Sequence, residues 1–209
     1  MSGSRVTVRR CGEHAVLLEV EAGEVPATYR ALRSLLDGAT WSALEVVPAA
    51  TTVLVEGLRG PLDELVEELE RRGGYSAATP GAAVVEVPTV YDGEDLLDVA
   101  RLWDMSTDEV VATHQATDFT VAFCGFAPGF AYCTGLPERL HVPRRRRPRT
   151  RVPAGSVALA GEFTGVYPTE SPGGWLLLGR TELTLWDSGD ERPATLAPGA
   201  RVRFVQVER

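Results

Sequence analysis

The chain has 209 residues, with 21 basic and 29 acidic side chains and a formal net charge of −8. Every basic side chain is Arg and none is Lys. This excludes a Schiff-base enzyme, a Walker A loop, a protein kinase and a lysine-linked cofactor such as biotin.

The first third of the chain predicts a small α/β domain. Alternating apolar residues predict short strands, and apolar residues at helical spacing predict two amphipathic helices. Pro26 and Gly38 flank the first helix, as helix punctuation requires. The predicted elements are strands over 5–10 and 14–20, a helix over 27–36, strands over 43–47 and 51–56, and a helix over 61–72. With a strand to follow, this order is ferredoxin-like with one extra leading strand.

Residues 73–83 are small and polar with Gly and Pro, which predicts a linker and therefore domains over 1–82 and 83–209. A strand over 84–90, helices over 94–103 and 107–113 and a strand over 119–123 follow. Ser106 and Glu109 predict a capping box for the second of these helices. Short apolar runs at 157–160, 175–178, 183–186 and 202–207 then alternate with turns, which is typical of a β-barrel. The predicted fold class is α+β.

Composition also indicates where the protein resides. No apolar run approaches the roughly 20 residues that cross a membrane, and no signal peptide is recognisable. Three Cys are too few for a disulfide framework, so we expect a cytoplasmic protein.

Cys124 and Cys133, with His141, lack the spacing of a zinc site, so we expect no metal ligands here. We interpret His14 and His141 as structural.

Charge is uneven along the chain: residues 1–118 carry −12 and residues 119–209 carry +4. Six Arg lie within 144–151, including Arg144 and Arg149. This run is either a solvated loop or a site for an anion or an acidic partner. We do not expect nucleic acid, because the chain is acidic and no aromatic residues interleave with the Arg run.

The stretch from Cys124 to Arg180 is dense in Gly and Pro, and it holds the candidate site. Such residues either only supply turns or let the backbone approach a ligand and form anion-binding nests. Loops carried by a barrel are where sites tend to lie. The motifs are GFAPGFAY, PRRRRPR followed by VPAGSVALAG, and TGVYP followed by SPGGW and GRT.

These motifs, with GEHAVLLEV near the N-terminus, resemble the family of the 5-oxoprolinase B subunit, also named allophanate hydrolase subunit 1 and KipI-type kinase inhibitors. The resemblance implies a small α/β domain followed by a cyclophilin-like barrel. It also implies that the chain acts together with two partner proteins, a C-type partner with a homologous barrel and an A-type partner. Together they would open 5-oxoproline to glutamate with ATP as co-substrate, accompanied by Mg²⁺, and without a covalently bound cofactor. The other family names imply two alternatives: allophanate hydrolysis in urea breakdown, or inhibition of a sensor histidine kinase.

The resemblance also directs attention to particular residues. His114, Arg180 and Tyr167 are candidate catalytic residues, and Arg180 has the geometry to clamp a carboxylate or phosphate. For His114 the structural alternative is a helix-end or packing role, and for Tyr167 and Arg180 it is a turn hydrogen bond or a barrel ion pair. The candidate residues for binding the small-molecule substrate or nucleotide are Gly125, Phe126, Pro128, Gly129, Arg144, Arg149, Ser171, Gly173 and Gly174. Phe126 and Trp175 also fit barrel core or subunit interface.

Three positions depart from the family pattern. Phe163 stands where the family has Gln, Glu182 where it has Pro, and Cys133 where it has Leu. If the Gln touches ligand, Phe163 alters substrate identity; otherwise it is a packing difference.

Overall fold

The computed structural model describes residues 6–72 and 84–208. Contacts divide the chain into two units, Met1–Pro80 and Gly81–Arg209. The predicted linker, 73–83, lies outside the described residues, so the boundary at 82/83 stays a prediction.

The first unit contains one antiparallel sheet and two helices. α1 buries one face through Val25, Ala31, Leu32 and Leu35, and it packs on two of the strands. The elements are β1 (Thr7–Cys11), β2 (Ala15–Glu19), α1 (Val25–Leu36), β3 (Glu45–Pro48), β4 (Thr52–Glu56) and α2 (Leu62–Arg72). The sheet order is β1-β2-β4-β3. These elements match the sequence prediction within a few residues.

The ferredoxin-like assignment stays a prediction. The pattern requires the strand after α2 to complete the first sheet, but β5 (Val84–Thr89) pairs in parallel with a strand of the second unit. The leading strand β1 lies beside β2 instead. The mixed α+β class itself is confirmed.

The second unit is built on a seven-stranded sheet with two helices. Its further elements are α3 (Leu96–Trp103), α4 (Thr107–Ala116), β6 (Phe119–Cys124), β7 (Ala131–Thr134), β8 (Arg149–Val152), β9 (Ser156–Ala160), β10 (Phe163–Val166), β11 (Ser171–Gly173), β12 (Leu176–Arg180) and β13 (Arg201–Gln206). The sheet order is β12-β9-β10-β7-β6-β13-β5, and β8 pairs with β11 in a separate ribbon. Ser106 and Glu109 form the predicted capping box of α4.

The sheet is nearly closed into a barrel. At its two edges Val90 and Arg180 exchange both backbone hydrogen bonds at 2.9 Å. The chain after Val90 continues along β12, where Gly93 donates to the Leu178 carbonyl and Asp95 to the Leu177 carbonyl. Segment 90–95 therefore bridges the two edges of the nearly closed barrel.

The strand β9 shows how the barrel is layered. All five of its residues are buried. Val157 and Leu159 belong to the main core inside the barrel, whereas Ala158 and Ala160 belong to a second cluster on the other face of the sheet. Because both faces are covered, this strand is a continuous apolar run rather than an alternating one.

The predicted strand over 183–186 is wrong. Leu183 donates its backbone N–H to the Thr181 side chain, which turns the chain away from a ladder, and only Trp186 makes an isolated bridge, to Ala194. Four short strands, β7, β8, β10 and β11, were not predicted from the sequence. None has more than four residues, too few to show a period.

Candidate functional site

Four loops meet at one end of the barrel. They follow β6, precede β9, follow β10 and follow β12. Together they line a groove of about 540 Å³ formed by Pro128, residues 154–155, residues 168–169 and residues 181–186. Glu182, one of the departures from the family pattern, is exposed at this groove.

The loop between β6 and β7 is tightly folded. Ala127 donates to the Gly125 carbonyl at 2.9 Å and Phe130 donates to the Ala127 carbonyl at 3.0 Å. Gly129 has φ +85°, and a Cβ there would lie 2.9 Å from the Leu185 carbonyl oxygen. Phe126 has φ 70°, a conformation unfavourable for an aromatic residue, and its side chain is 62% exposed.

Behind this loop is an aromatic cluster on the face of the sheet opposite the main core. Phe130 has its ring centroid 4.9 Å from that of Tyr132 and 5.3 Å from those of both Tyr167 and Trp175. Phe126 meets the ring of Phe130 edge-on at 5.3 Å. The cluster therefore joins the exposed loop to the buried side chains beneath the ribbon.

Phe163 belongs to the same cluster. Its ring lies 5.5 Å from both Phe123 and Tyr132 in edge-on contact. At this position, where the family pattern has Gln, the chain therefore packs an aromatic residue. The second departure, Cys133, is fully buried in the main core, and burial together with the neighbouring Cys124 raises the pKa of its thiol.

Tyr167 lies at the boundary between this cluster and the ribbon. Its side chain is 2% exposed, and burial raises the pKa of its phenol against the opposing effects of the Trp175 backbone N–H, Arg144 and Arg149. The hydroxyl lies directly over Gly173, where a Cβ would overlap it. Gly173 therefore lets the Tyr167 hydroxyl lie flush against the backbone of β11.

Two residues of the Arg run are bound to one buried carboxylate. Asp95 is 2% exposed and forms ion pairs with Arg145 and, at 2.9 Å, with Arg149. It also accepts the Leu177 backbone N–H at 2.8 Å. Burial alone would raise the pKa of Asp95, but these hydrogen bonds and the two guanidinium charges hold it below its ordinary value. Arg149 also contacts Glu94 at 3.0 Å.

The remaining residues of the run are less constrained. Arg151 pairs with Glu170 at 2.6 Å. Arg144, Arg146 and Arg147 are exposed, and none of them forms an ion pair with an acid within 6–72 or 84–208. The run therefore divides into structural and unpaired guanidinium groups.

His114 lies elsewhere, inside the barrel with no exposed surface. Its Nδ1 is 2.7 Å from the Tyr91 hydroxyl and its Nε2 is 3.0 Å from Thr164 Oγ1. Since Thr164 donates to the Ala158 carbonyl, Nε2 donates to Thr164 and Tyr91 donates to Nδ1. Burial lowers the pKa of His114 from 6.5 to about 3. This is the environment of a neutral core residue.

Arg180 lies at the barrel closure, where its side chain pairs with Asp92 at 3.2 Å.

The structure brings together most of the candidate residues and separates His114 from them. Those that meet around the loop end, the aromatic cluster and the ribbon are Gly125, Phe126, Pro128, Gly129, Arg144, Arg149, Tyr167, Ser171, Gly173 and Gly174. Sequence reasoning missed Tyr132, although it lies in the GFAPGFAY motif, and Asp95, for which the sequence carries no local signal.

Two further findings concern metals and membranes. Within the described ranges, no three of His, Cys, Asp and Glu lie close enough to hold a metal ion. None of the helices among these residues is long and apolar enough to cross a membrane.

Comparison with known proteins gives the family. Residues 6–196 match the family model for the carboxyltransferase domain, subdomain C and D. The chain is 40% identical over 205 residues to the 5-oxoprolinase B subunit of Escherichia coli O157:H7, covering 93% of each protein. It superposes on TTHA0988 with a TM-score of 0.75 and 37% identity, covering 94% of this chain but only 40% of that longer one. Kluyveromyces lactis urea amidolyase shares the fold, with a TM-score of 0.71 at 19% identity over 98% of this chain and 15% of that one. The chain therefore belongs to the family of the 5-oxoprolinase B subunit.

Proposed function

We propose that this chain is one component of an ATP-dependent cyclic-amide hydrolase that converts 5-oxoproline, ATP and water to glutamate, ADP and phosphate. The observation that carries the proposal is the 40% identity to a 5-oxoprolinase B subunit across 93% of both proteins. At that coverage the match includes both units and the loops of the candidate site.

The chemistry explains the need for ATP. A five-membered lactam keeps its amide resonance and is a poor electrophile. Transfer of the γ-phosphoryl group to the lactam oxygen releases ADP and makes the ring carbon electrophilic. Water then attacks that carbon and the ring C–N bond breaks, with its electron pair and a proton going to the nitrogen, which leaves an acyl phosphate. A second water hydrolyses the acyl phosphate to glutamate and phosphate. Negative charge develops on oxygen atoms, so positioned cations and N–H donors are the catalytic groups that this reaction requires.

This chain supplies such groups without Lys. Arg144 provides an unpaired guanidinium beside the ribbon, and the Gly-rich segments provide backbone N–H groups. Tyr167, whose pKa the charge of Arg144 lowers, and Ser171 on the ribbon add hydroxyl groups. We assign a structural role to His114, because Tyr91 and Thr164 occupy both of its ring nitrogens inside the barrel, away from the loops and the ribbon. Arg180 takes part only if substrate displaces it from Asp92.

The partners in the proposal are the C-type protein with a homologous barrel and the A-type protein. The relatives are named as one lettered component of 5-oxoprolinase, which supports a multi-chain enzyme. The match to only 40% of TTHA0988 shows that this fold also occurs within a longer chain. Phe126 and Trp186 are exposed aromatic residues beside the groove, so we assign the contact with the C-type partner to this end of the barrel. We propose a cytoplasmic location for the assembly.

A magnesium ion would accompany ATP in this reaction. The described residues bring no three of His, Cys, Asp and Glu together, so we assign no all-protein magnesium site to them; Mg²⁺ bound with a nucleotide takes most of its ligands from phosphates and water. In our proposal the ion is held by the nucleotide phosphates and by groups outside this chain.

The test is reconstitution. The chain is purified alone and together with its A-type and C-type partners, and 5-oxoproline-dependent release of ADP is measured. We expect turnover from the complete assembly and none from this chain alone. Absence of 5-oxoproline-dependent ADP release from the complete assembly would refute the substrate assignment. Ammonia release from allophanate and inhibition of histidine-kinase autophosphorylation, measured on the same preparations, test the two alternatives. The likeness to urea amidolyase, at 19% identity, shows the fold alone.

A further inference from the structure

The Arg run packs against β11 through its backbone. Arg145 donates its backbone N–H to the Gly174 carbonyl at 2.8 Å, and a Cβ on Gly174 would have its nearest neighbours at 3.7 Å, in Arg145 and Pro148. The next residue, Trp175, meets Tyr132 and Tyr167 edge-on at centroid distances of 5.5 and 6.4 Å. Arg144, the first residue of the run, directly precedes this anchored residue, and the two tyrosines pack on the residue that follows Gly174.

The electrostatic environment agrees with this placement. The charge of Arg144 lowers the pKa of both Tyr132 and Tyr167, although burial raises both by more. Arg144 is exposed and forms no ion pair with any acid within the described ranges. A guanidinium that acts electrostatically on two phenol groups and has no carboxylate partner among the described residues leaves a positive potential at this point of the surface.

Ser171 supplies an independent observation. Its Oγ is buried and has no hydrogen-bond partner. Ser171 lies two residues before Gly173 on β11, and the pairing with β8 shifts register between them. Gly173 itself faces the Tyr167 hydroxyl, so the unpartnered Ser171 hydroxyl belongs to the same short strand. A buried hydroxyl without a partner costs about 1–3 kcal/mol, and a bound ligand atom at this point would offset that cost.

We propose that Arg144, Tyr167 and Ser171 form an oxyanion-binding site that receives the carboxylate of a small acid substrate. Arg144 supplies the charge, and the two hydroxyl groups donate hydrogen bonds. Arg145 and Arg149 are positioning residues that fix the run through Asp95 and do not touch the ligand. This deepens the proposed function and rests on it, because 5-oxoproline carries one carboxylate.

Phosphate presents the same oxyanion chemistry, so the test has to distinguish the two sources. Calorimetric titration of the purified 209-residue chain uses 5-oxoproline, its neutral carboxamide and inorganic phosphate as probes. The variants are Arg144→Gln, Ser171→Ala and, as a control with the same charge change in the same loop, Arg147→Gln. A charge-assisted hydrogen bond is worth roughly tenfold in affinity. We therefore expect Arg144→Gln to weaken 5-oxoproline binding at least about tenfold and Arg147→Gln to leave it unchanged.

The remaining outcomes overturn the proposal. Equal effects of Arg144→Gln and Arg147→Gln would show a diffuse charge effect. Binding of the carboxamide as tightly as the acid would exclude carboxylate recognition, and an Arg144-dependent site that takes phosphate but not 5-oxoproline would assign it to nucleotide. If none of the three probes binds the isolated chain, the KM values of the complete assembly decide. A raised KM for 5-oxoproline with an unchanged KM for ATP in Arg144→Gln would support the proposal, and any other result would overturn it. The titrations measure binding to the isolated chain and do not depend on which substrate the assembly turns over. Failure of the proposed function would therefore be distinguished from failure of the carboxylate site.

Discussion

Arg149 and Asp95, 54 residues apart in sequence, lie side by side with Arg149 Nη2 at 2.9 Å from Asp95 Oδ1. The carboxylate also holds Arg145 and the Leu177 backbone N–H. One buried group thus joins the Arg run, the ribbon β8–β11 and the closure of the barrel along β12. The position of the candidate site depends on this group rather than on the loops alone.

Replacing Asp95 by Asn should destabilise the protein strongly. The substitution leaves Arg149, which is 15% exposed, and Arg145 without their counter-charge. Loss of one partner from a buried ion pair costs about 3 kcal/mol or more. The free energy of unfolding in urea measures the effect.

Asp98→Asn is the matched control for this substitution. Asp98 pairs with Arg101 one turn away on α3, and both side chains are more than half exposed. Such a pair contributes less than about 0.5 kcal/mol. Similar losses from the two variants would contradict the structural role given to Asp95.

The sequence predicted those elements whose residues repeat over several turns or strands. α2 carries acids opposite an apolar face, and β9 is a continuous apolar run, so both are visible locally. The ribbon strands β8 and β11 have the sequences RTRV and SPG. They form because they cover the second apolar cluster, which is a tertiary cause that no local pattern carries.

The candidate site shows the same division. The Gly-rich motifs correctly marked the loops that gather at one barrel end, because tight turns need those residues. The sequence alone could not separate Arg145 and Arg149 from Arg144, since the acid that pairs with the first two lies 50 residues or more away. For His114 the sequence alone could not decide between packing and catalysis, because Tyr91, Thr164 and Phe204, which enclose it, are distant in sequence.

Stability should fall as the solution becomes acidic because of His114. Its pKa is about 3 in the folded protein and 6.5 when the side chain is exposed, so below 6.5 the unfolded chain binds a proton that the folded one does not. Neutral, buried His114 contributes fully to the free energy of unfolding above pH 6.5. This contribution is lost as pH falls from 6.5 toward 3, at about 1.4 kcal/mol per pH unit. Urea unfolding at pH values from about 7 down to about 4.5 measures the slope.

Two variants attribute that slope to one residue. His114→Gln should flatten it, whereas His141→Gln should leave it as in the wild type, because His141 lies at the surface and contacts the Leu136 carbonyl. Carboxylates whose pKa is lowered on folding, Asp95 from 3.8 and Glu109 from 4.5, add to the slope only at the acid end of this range, so the His114 slope is taken between about pH 5.5 and about pH 6.5. An unchanged slope in His114→Gln would refute the prediction.

Gly173→Ala should displace Tyr167. The new Cβ would overlap the Tyr167 hydroxyl and lie 2.8 Å from its Cζ, and overpacking of this kind costs about 1–3 kcal/mol. Gly174→Ala is the control, because its Cβ would meet no atom nearer than 3.7 Å. Urea unfolding and the near-ultraviolet circular dichroism of the aromatic cluster report the change. Equal stability of the two variants would show that Tyr167 moves aside freely.

Phe126→Asn should leave the isolated chain as stable as the wild type or more stable by up to about 1 kcal/mol. A bulky residue at positive φ costs about 1–2 kcal/mol, and Asn tolerates that conformation better. The ring is 62% exposed, so little packing is lost. Phe130→Ala, in the same loop, should cost about 3–5 kcal/mol because Phe130 is 1% exposed. Thermal unfolding compares the two variants.

The second measurement on Phe126→Asn is its affinity for the C-type partner. Backbone strain at an exposed aromatic residue persists where the side chain is needed, so the stabilised variant should assemble more weakly than the wild type. Calorimetric titration of each form with that partner measures the difference. Unchanged affinity would place the interface elsewhere, and a destabilised free chain would show that contacts with Phe130 outweigh the strain.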